Sequence, residues 1–205
     1  MKKFKIVILS ILLLSVTLVK ISSAGQLPVV IEKDTVLTAA NSPYYAESSV
    51  TVSENATLKI ESGVVMQFSS GVSLIIAGSC IAQGQNKNKI KFEPLTEGNY
   101  WGGIRGNGGS ILLDYIELEQ ATIALNISQG SLELYNSAVS KISGSDCIHF
   151  NYIDTVIIKD NCFTGDKSLT KQDAIDCDYG GEGYVLIENN SFNDICFMDW
   201  NESRN

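Results

Sequence analysis

The residues with the means to do chemistry gather late in the chain: Asp146, His149, Asn151, Asp173, Asp176 and Asp178. Ile175-Asp176-Cys177-Asp178 alternates apolar and acidic residues. In a strand, that pattern turns Ile175 and Cys177 to one face and both carboxylates to the other. Ile148-His149-Phe150 has the same frame. Laid one strand below, it sets His149 and Asn151 under Asp176 and Asp178, and Asp146 under Asp173. Neighbouring strands lie about 4.8 Å apart, close enough for these side chains to act together. Three kinds of chemistry fit. Asp173, Asp176 and Asp178 can supply the acid and base, or acid and nucleophile, of glycoside hydrolysis. Asp176, Asp178 and Asn151 offer the oxygen ligands that calcium takes. The same residues also make an ordinary solvated acidic face. Tyr152 and Tyr179 follow the two strands, so a ligand-binding set would comprise Asp146, His149, Asn151, Tyr152, Asp176, Asp178 and Tyr179. Tyr100 and Trp101 add a second aromatic pair. Trp101 reads more readily as a core or corner residue than as a sugar platform.

The elements that must hold this face are short strands. Val50-Thr51-Val52 and Leu58-Lys59-Ile60 alternate with period two, Leu74-Ile75-Ile76 is apolar throughout, and Gly, Ser, Asn and Asp separate such runs. No helical period occurs beyond the first 24 residues. The runs also repeat. Thr57–Val65 lies over Ser73–Ile81 at an offset of 16 residues. Leu113, Leu134, Ile158 and Ile187 recur in one frame at steps of 21, 24 and 29, each followed five positions later by Leu118, Val139, Phe163 or Phe192. A constant apolar frame with connections of variable length marks a solenoid, in which stacked turns supply the core that one turn lacks. A second strand is expected to stack Ile123, Ile148 and Ile175 in one inward column, with Leu125, Phe150 and Cys177 in the next. Asn136-Ser137, Asp160-Asn161 and Asn189-Asn190 fall at one corner, where asparagine tolerates left-handed backbone and satisfies stranded peptide groups.

The N-terminus carries Lys2, Lys3 and Lys5, an apolar run from Ile6 to Val19, and Ser22-Ser23-Ala24. This is the pattern of a secretory signal peptide over residues 1–24, and the run is shorter than the roughly 18–20 residues that span a bilayer. Residues 25–205 then form one domain in the periplasm, on the cell surface or in the medium, with no stable membrane span. Cleavage removes four lysines and no acid, moving the net charge from −8 to −12. Such a chain repels phosphate backbones, so no nucleic-acid partner is expected. Its five cysteines are Cys80, Cys147, Cys162, Cys177 and Cys196. They lack zinc-site spacing and read mainly as small buried apolar residues. After Phe192 the pattern shortens. Either Phe197 and Trp200 fold back as a plug over the last turn, or the chain is a shortened relative of a longer protein.

Thr57-Leu58-Lys59-Ile60-Glu61-Ser62-Gly63-Val64, Phe68, Leu74–Gly78, Ala82-Gln83-Gly84, Ile90-Lys91-Phe92 and Trp101-Gly102-Gly103-Ile104 together resemble the opening turns of bacterial exported right-handed parallel β-helix proteins. Ser62 stands where members often carry proline. Asp173-Ala174-Ile175-Asp176 and Ile187-Glu188-Asn189-Asn190-Ser191-Phe192 resemble their later turns, and the likeness covers residues 50–195. It implies an all-β, single-stranded right-handed parallel β-helix of about seven turns, the pectin-lyase-like fold. Polysaccharide lyases and glycoside hydrolases share that fold, but their catalytic sets are not matched. His149 is followed by Phe150 rather than glycine, and the arginines are Arg105 and Arg204 alone. Fold does not carry function by itself. The expectation is an exported, non-catalytic module that binds a polysaccharide or surface glycan or serves as a scaffold. The alternative is a lyase or hydrolase acting through the late acidic face.

Overall fold

Strands of two to seven residues, each with one apolar face, bury that face only by stacking on equivalents from other turns. A computed structural model describes residues 25–166, 172–179 and 183–200, with backbone alone at 179 and 197–200. The chain coils as a parallel β-solenoid, each turn adding one strand to each of three parallel sheets. Sheet 1 has eight strands: Val30–Ile31, Val50–Val52, Ser73–Ile76, Gly103–Gly106, Leu125–Ile127, Asp146–Asn151, Asp173–Tyr179 and Cys196–Trp200. Sheet 2 has seven: Thr35–Leu37, Thr57–Glu61, Ser79–Gln83, Ser110–Asp114, Gly130–Tyr135, Ile153–Lys159 and Tyr184–Glu188. Sheet 3 also has seven: Tyr44–Ala46, Val65–Phe68, Ile90–Pro94, Ile116–Glu119, Ala138–Ser140, Cys162–Thr164 and Ser191–Asn193. About six turns separate the ends of each seven-stranded sheet. Among the described residues the one helical element is a 3-10 turn at Ala39–Asn41, and no helix is long and apolar enough to cross a membrane. Residues 1–24, to which the signal peptide was assigned, lie outside the described residues.

The core is a set of columns. In sheet 2, Leu58, Cys80, Ile111, Leu132 and Val156 stack in register and are buried. Leu113, Leu134, Ile158 and Ile187 pair in the frame that the sequence indicates, as do Leu118, Val139, Phe163 and Phe192 in sheet 3. Each fully buried aliphatic side chain contributes about 1.5–3 kcal/mol relative to exposure. Trp101 is a core residue with no exposed surface. Its ring stacks on Phe68 at 4.3 Å and on Phe92 at 6.5 Å, and its indole N–H donates to the Glu119 carbonyl at 2.9 Å. Beside it, Gly103 has φ +84°, and a Cβ there would run into the Ile123 carbonyl oxygen, which explains the glycine after Trp101-Gly102.

The corner between sheets 2 and 3 is built as expected. Tyr115, Asn136, Asp160 and Asn189 all take left-handed φ, and the residues after the last three, Ser137, Asn161 and Asn190, form a polar ladder along the axis. Asn161, only 3% exposed, accepts from the Ser137 N–H and donates to the Leu134 carbonyl, both at 2.9 Å. Asn190 repeats the pattern one turn on, accepting from the Asn161 N–H and donating to Ile158.

Two expected alignments are corrected. Thr57 pairs with Ser79, not Ser73, because Ser73–Ile76 lies in sheet 1 on Val50–Val52. The offset of 16 therefore compares strands of two different sheets. Ile148 stacks on Leu125 rather than Ile123, and Phe150 on Ile127. A slip of two residues keeps every side chain on its expected face, so alternation cannot detect it. At the C-terminal end the backbone of Cys196–Trp200 continues sheet 1, pairing with Asp173–Cys177. The side chains of Phe197 and Trp200, assigned to a plug, lie outside the described residues.

Candidate functional site

Sheet 1 places the late acidic residues largely as their alternation demands. Asp146 pairs with Asp173, Ile148 with Ile175, His149 with Asp176 and Phe150 with Cys177. Ile148, Phe150, Ile175 and Cys177 point inward and are buried, which turns His149, Asp176 and Asp178 outward. A bulge then breaks the register, and Asn151 pairs with Tyr179 instead of Asp178. Asp178 is the extra residue of this bulge, and its side chain swings to His149. Its Oδ2 accepts from His149 Nε2 at 3.0 Å, while Asp176 Oδ2 lies 3.9 Å from the same nitrogen. The His149 and Asp176 side chains are 18% and 17% exposed, against 58% for Asp178. One carboxylate is thus sheltered and one faces water.

The wider expected set divides. Asp146 sits at the start of its strand, where Ser145 Oγ donates to its Oδ2 at 2.7 Å. Asp173, its neighbour one turn on, is three residues before Asp176 and belongs with Asp146 rather than with the His149 cluster. The Asn151 carbonyl oxygen is withdrawn from solvent and accepts no hydrogen bond. Tyr152 is 60% exposed at the corner after the strand, with φ 47°. The side chain of Tyr179 lies outside the described residues. Three cysteines, Cys80, Cys147 and Cys177, are buried, whereas Cys162 is half-buried and Cys196 exposed. Burial pushes the Cys80 and Cys147 thiols up to about 12, with the Asp146 charge adding to the effect at Cys147.

A second feature lies over sheet 3 and the corner that follows it. Two cavities adjoin there, one of about 320 Å³ and one of about 660 Å³, and both are lined by Gln120 and Lys141. The smaller reaches Gln67, Glu93 and Glu119. The larger reaches Tyr100, Ser140, Thr164, Asp166 and Asp194. Together they form a trough crossing six successive turns, about 24 Å at the strand spacing. Gln120, Lys141 and Asp194 take left-handed φ of 55° each, which tips these side chains out at the corner. Gln67 donates to Glu93 at 2.9 Å. Lys141 pairs with Glu119 at 2.6 Å, and this bond holds its ammonium pKa above the usual lysine value. With Glu93, Glu97, Glu119, Asp166 and Asp194 against Lys141, the lining is acidic. Gln172, 3% exposed, braces the rim: it accepts from the Asp166 N–H at 3.1 Å and donates to the Ile142 and Gly144 carbonyls. Sequence reasoning singled out Tyr100 but missed the trough. Its other residues are outward strand positions of sheet 3, such as Gln67, Glu93, Glu119, Ser140 and Thr164, and corner residues outside the apolar frame, of which Gln120, Lys141 and Asp194 share left-handed backbone.

No protein-family model matches the chain, and no solved structure does. The chain is 36% identical over 63 residues to Protein bark beetle of Drosophila melanogaster, a stretch covering 31% of this chain and 2% of that protein. An overlap this small assigns no family.

Proposed function

We propose that this chain is an exported, non-catalytic β-helix module that binds an extended carbohydrate along the trough over sheet 3. The observation that carries the reading is the trough itself. Its 660 Å³ part is bordered by an aromatic ring, that of Tyr100, which is 39% exposed, and by hydroxyl, amide and carboxylate groups. Sugar rings bind by apolar contact with an aromatic face and by hydrogen bonds to groups of these kinds. Rungs repeating at about 4.8 Å offer a linear polymer similar donors and acceptors turn after turn. The apolar leader of residues 1–24 and the resemblance to bacterial exported β-helix proteins support export. The acidic lining favours neutral or cationic glycans over uronate polymers.

A glycan array read beside a polysaccharide-depletion assay tests this. Binding of neutral or amino-sugar oligomers, weakened at least tenfold by Tyr100→Ala and without release of sugar, is the expected result. New reducing ends or unsaturated sugars, lost on Asp176→Asn, would establish a hydrolase or lyase instead. The two carboxylates converging on His149 favour that second reading.

A further inference from the structure

We propose that His149, Asp176 and Asp178 form a site for a divalent transition-metal ion, of the zinc, cobalt or manganese class, rather than for calcium. Calcium was the ion suggested by Asp176, Asp178 and Asn151 as an all-oxygen set. The bulge changes that set, because it brings an imidazole nitrogen to the centre. Calcium takes oxygen ligands, whereas a mixed imidazole and carboxylate set suits the borderline transition ions. The distances fit one small ion. Ligand atoms bound about 2.1 Å from a common centre stand about 3.0–3.5 Å apart. Here His149 Nε2 lies 3.0 Å from Asp178 Oδ2 and 3.9 Å from Asp176 Oδ2, and one ligand atom from each residue falls within 4.8 Å of the others. Closing around an ion thus needs shifts of well under an ångström in the first two contacts.

A second polar group on the strand of His149 lacks a partner. Asn151, two residues from His149 on the same outward face, holds its carbonyl oxygen out of solvent with no hydrogen-bond donor. A buried carbonyl without a donor is unfavourable, and a cation placed beside it would relieve that. His149 and Asp176 sit on facing strands of one sheet, so two ligands are held by backbone pairing, while the exposed Asp178 closes from the solvent side. That side leaves coordination positions open to water or to a hydroxyl-bearing ligand.

The test uses the purified full-length chain carrying Cys196→Ser, which removes the exposed thiol as a competing ligand. After chelation and dialysis the protein is titrated with Co²⁺, Zn²⁺ and Ca²⁺ at pH 7.5. The expected results are a visible Co²⁺ absorption band that saturates at one equivalent and is bleached by Zn²⁺, and a rise in Tm with Zn²⁺ but not with equal Ca²⁺. His149→Gln should abolish the band, and Asp178→Asn, at an exposed position that does not threaten folding, should weaken binding at least tenfold. A Tm rise with Ca²⁺ equal to that with Zn²⁺, an absent Co²⁺ band, or a band unchanged in both variants would overturn the proposal. The trough binding described above is scored separately on the chelated protein.

Discussion

Asn161→Ala tests whether the corner ladder holds the turns together. The side chain is 3% exposed and joins three turns. Its carbonyl accepts from Ser137 N–H, and its amide donates to the Leu134 carbonyl at 2.9 Å and to Asn190 Oδ1 at 3.0 Å. Alanine strands a buried peptide N–H and a buried peptide carbonyl in a corner with no room to turn toward water. Each such group costs about 1–3 kcal/mol, so the expected loss is about 2–6 kcal/mol. Asn190→Ala removes a similar set of bonds at a half-buried position. Water can replace part of them there, and the loss should be about half as large. Asn161→Asp keeps the bond from Ser137 but turns a buried, ionised carboxylate toward the Leu134 carbonyl and Asn190 Oδ1, so it should cost at least as much as alanine. Urea unfolding at pH 7 by far-UV circular dichroism gives the three stabilities. Both Asn161 variants should lose more than Asn190→Ala. A loss below 0.5 kcal/mol for Asn161→Ala, against the estimate of at least about 2, would refute the reasoning.

The thiols should separate by depth. At pH 8, a thiol reagent should label Cys196 quickly, and Cys80 and Cys147 only after denaturation, because burial holds both thiols near 12. Mass spectrometry of the labelled peptides reads this, and rapid native labelling of Cys80 would contradict the buried column. Tyr135 should give an alkaline signature. Burial, first, and its bond to Glu133 raise its phenol from 10.0 to about 12. The native state thus keeps a proton that the unfolded state releases. This contribution to stability is complete below pH 10 and is lost as the pH rises from 10 through about 12. Tyr135→Phe should flatten the decline in Tm over that window and remove a phenolate absorbance step near its upper end.

The sequence displays what depends on period and hides what depends on a count of one. Leu113, Leu134, Ile158 and Ile187 could be stacked from the page because each keeps its distance to the next sheet while loop length varies elsewhere. The Ile123 column failed by two residues, since alternation is blind to an even slip. The offset of 16 failed because strands of sheets 1 and 2 share the same apolar pattern. At the acidic face, pairing of His149 with Asp176 followed from laying Ile148-His149-Phe150 under Ile175-Asp176-Cys177. The bulge that frees Asp178 to reach His149 has no mark in the residue types. The trough was illegible for a related reason. Gln120, Lys141 and Asp194 are joined by backbone conformation at corners, not by composition.

Hydrogen–deuterium exchange, with and without the best oligosaccharide from the array, tests the central claim most directly. The account predicts slowed exchange at Gln120, Ser140-Lys141 and Thr164-Gly165-Asp166, the residues that line the trough. Protection confined to Asp146–Asn151 and Asp173–Tyr179, with the trough unchanged, would contradict it and move the binding site to the acidic face of sheet 1.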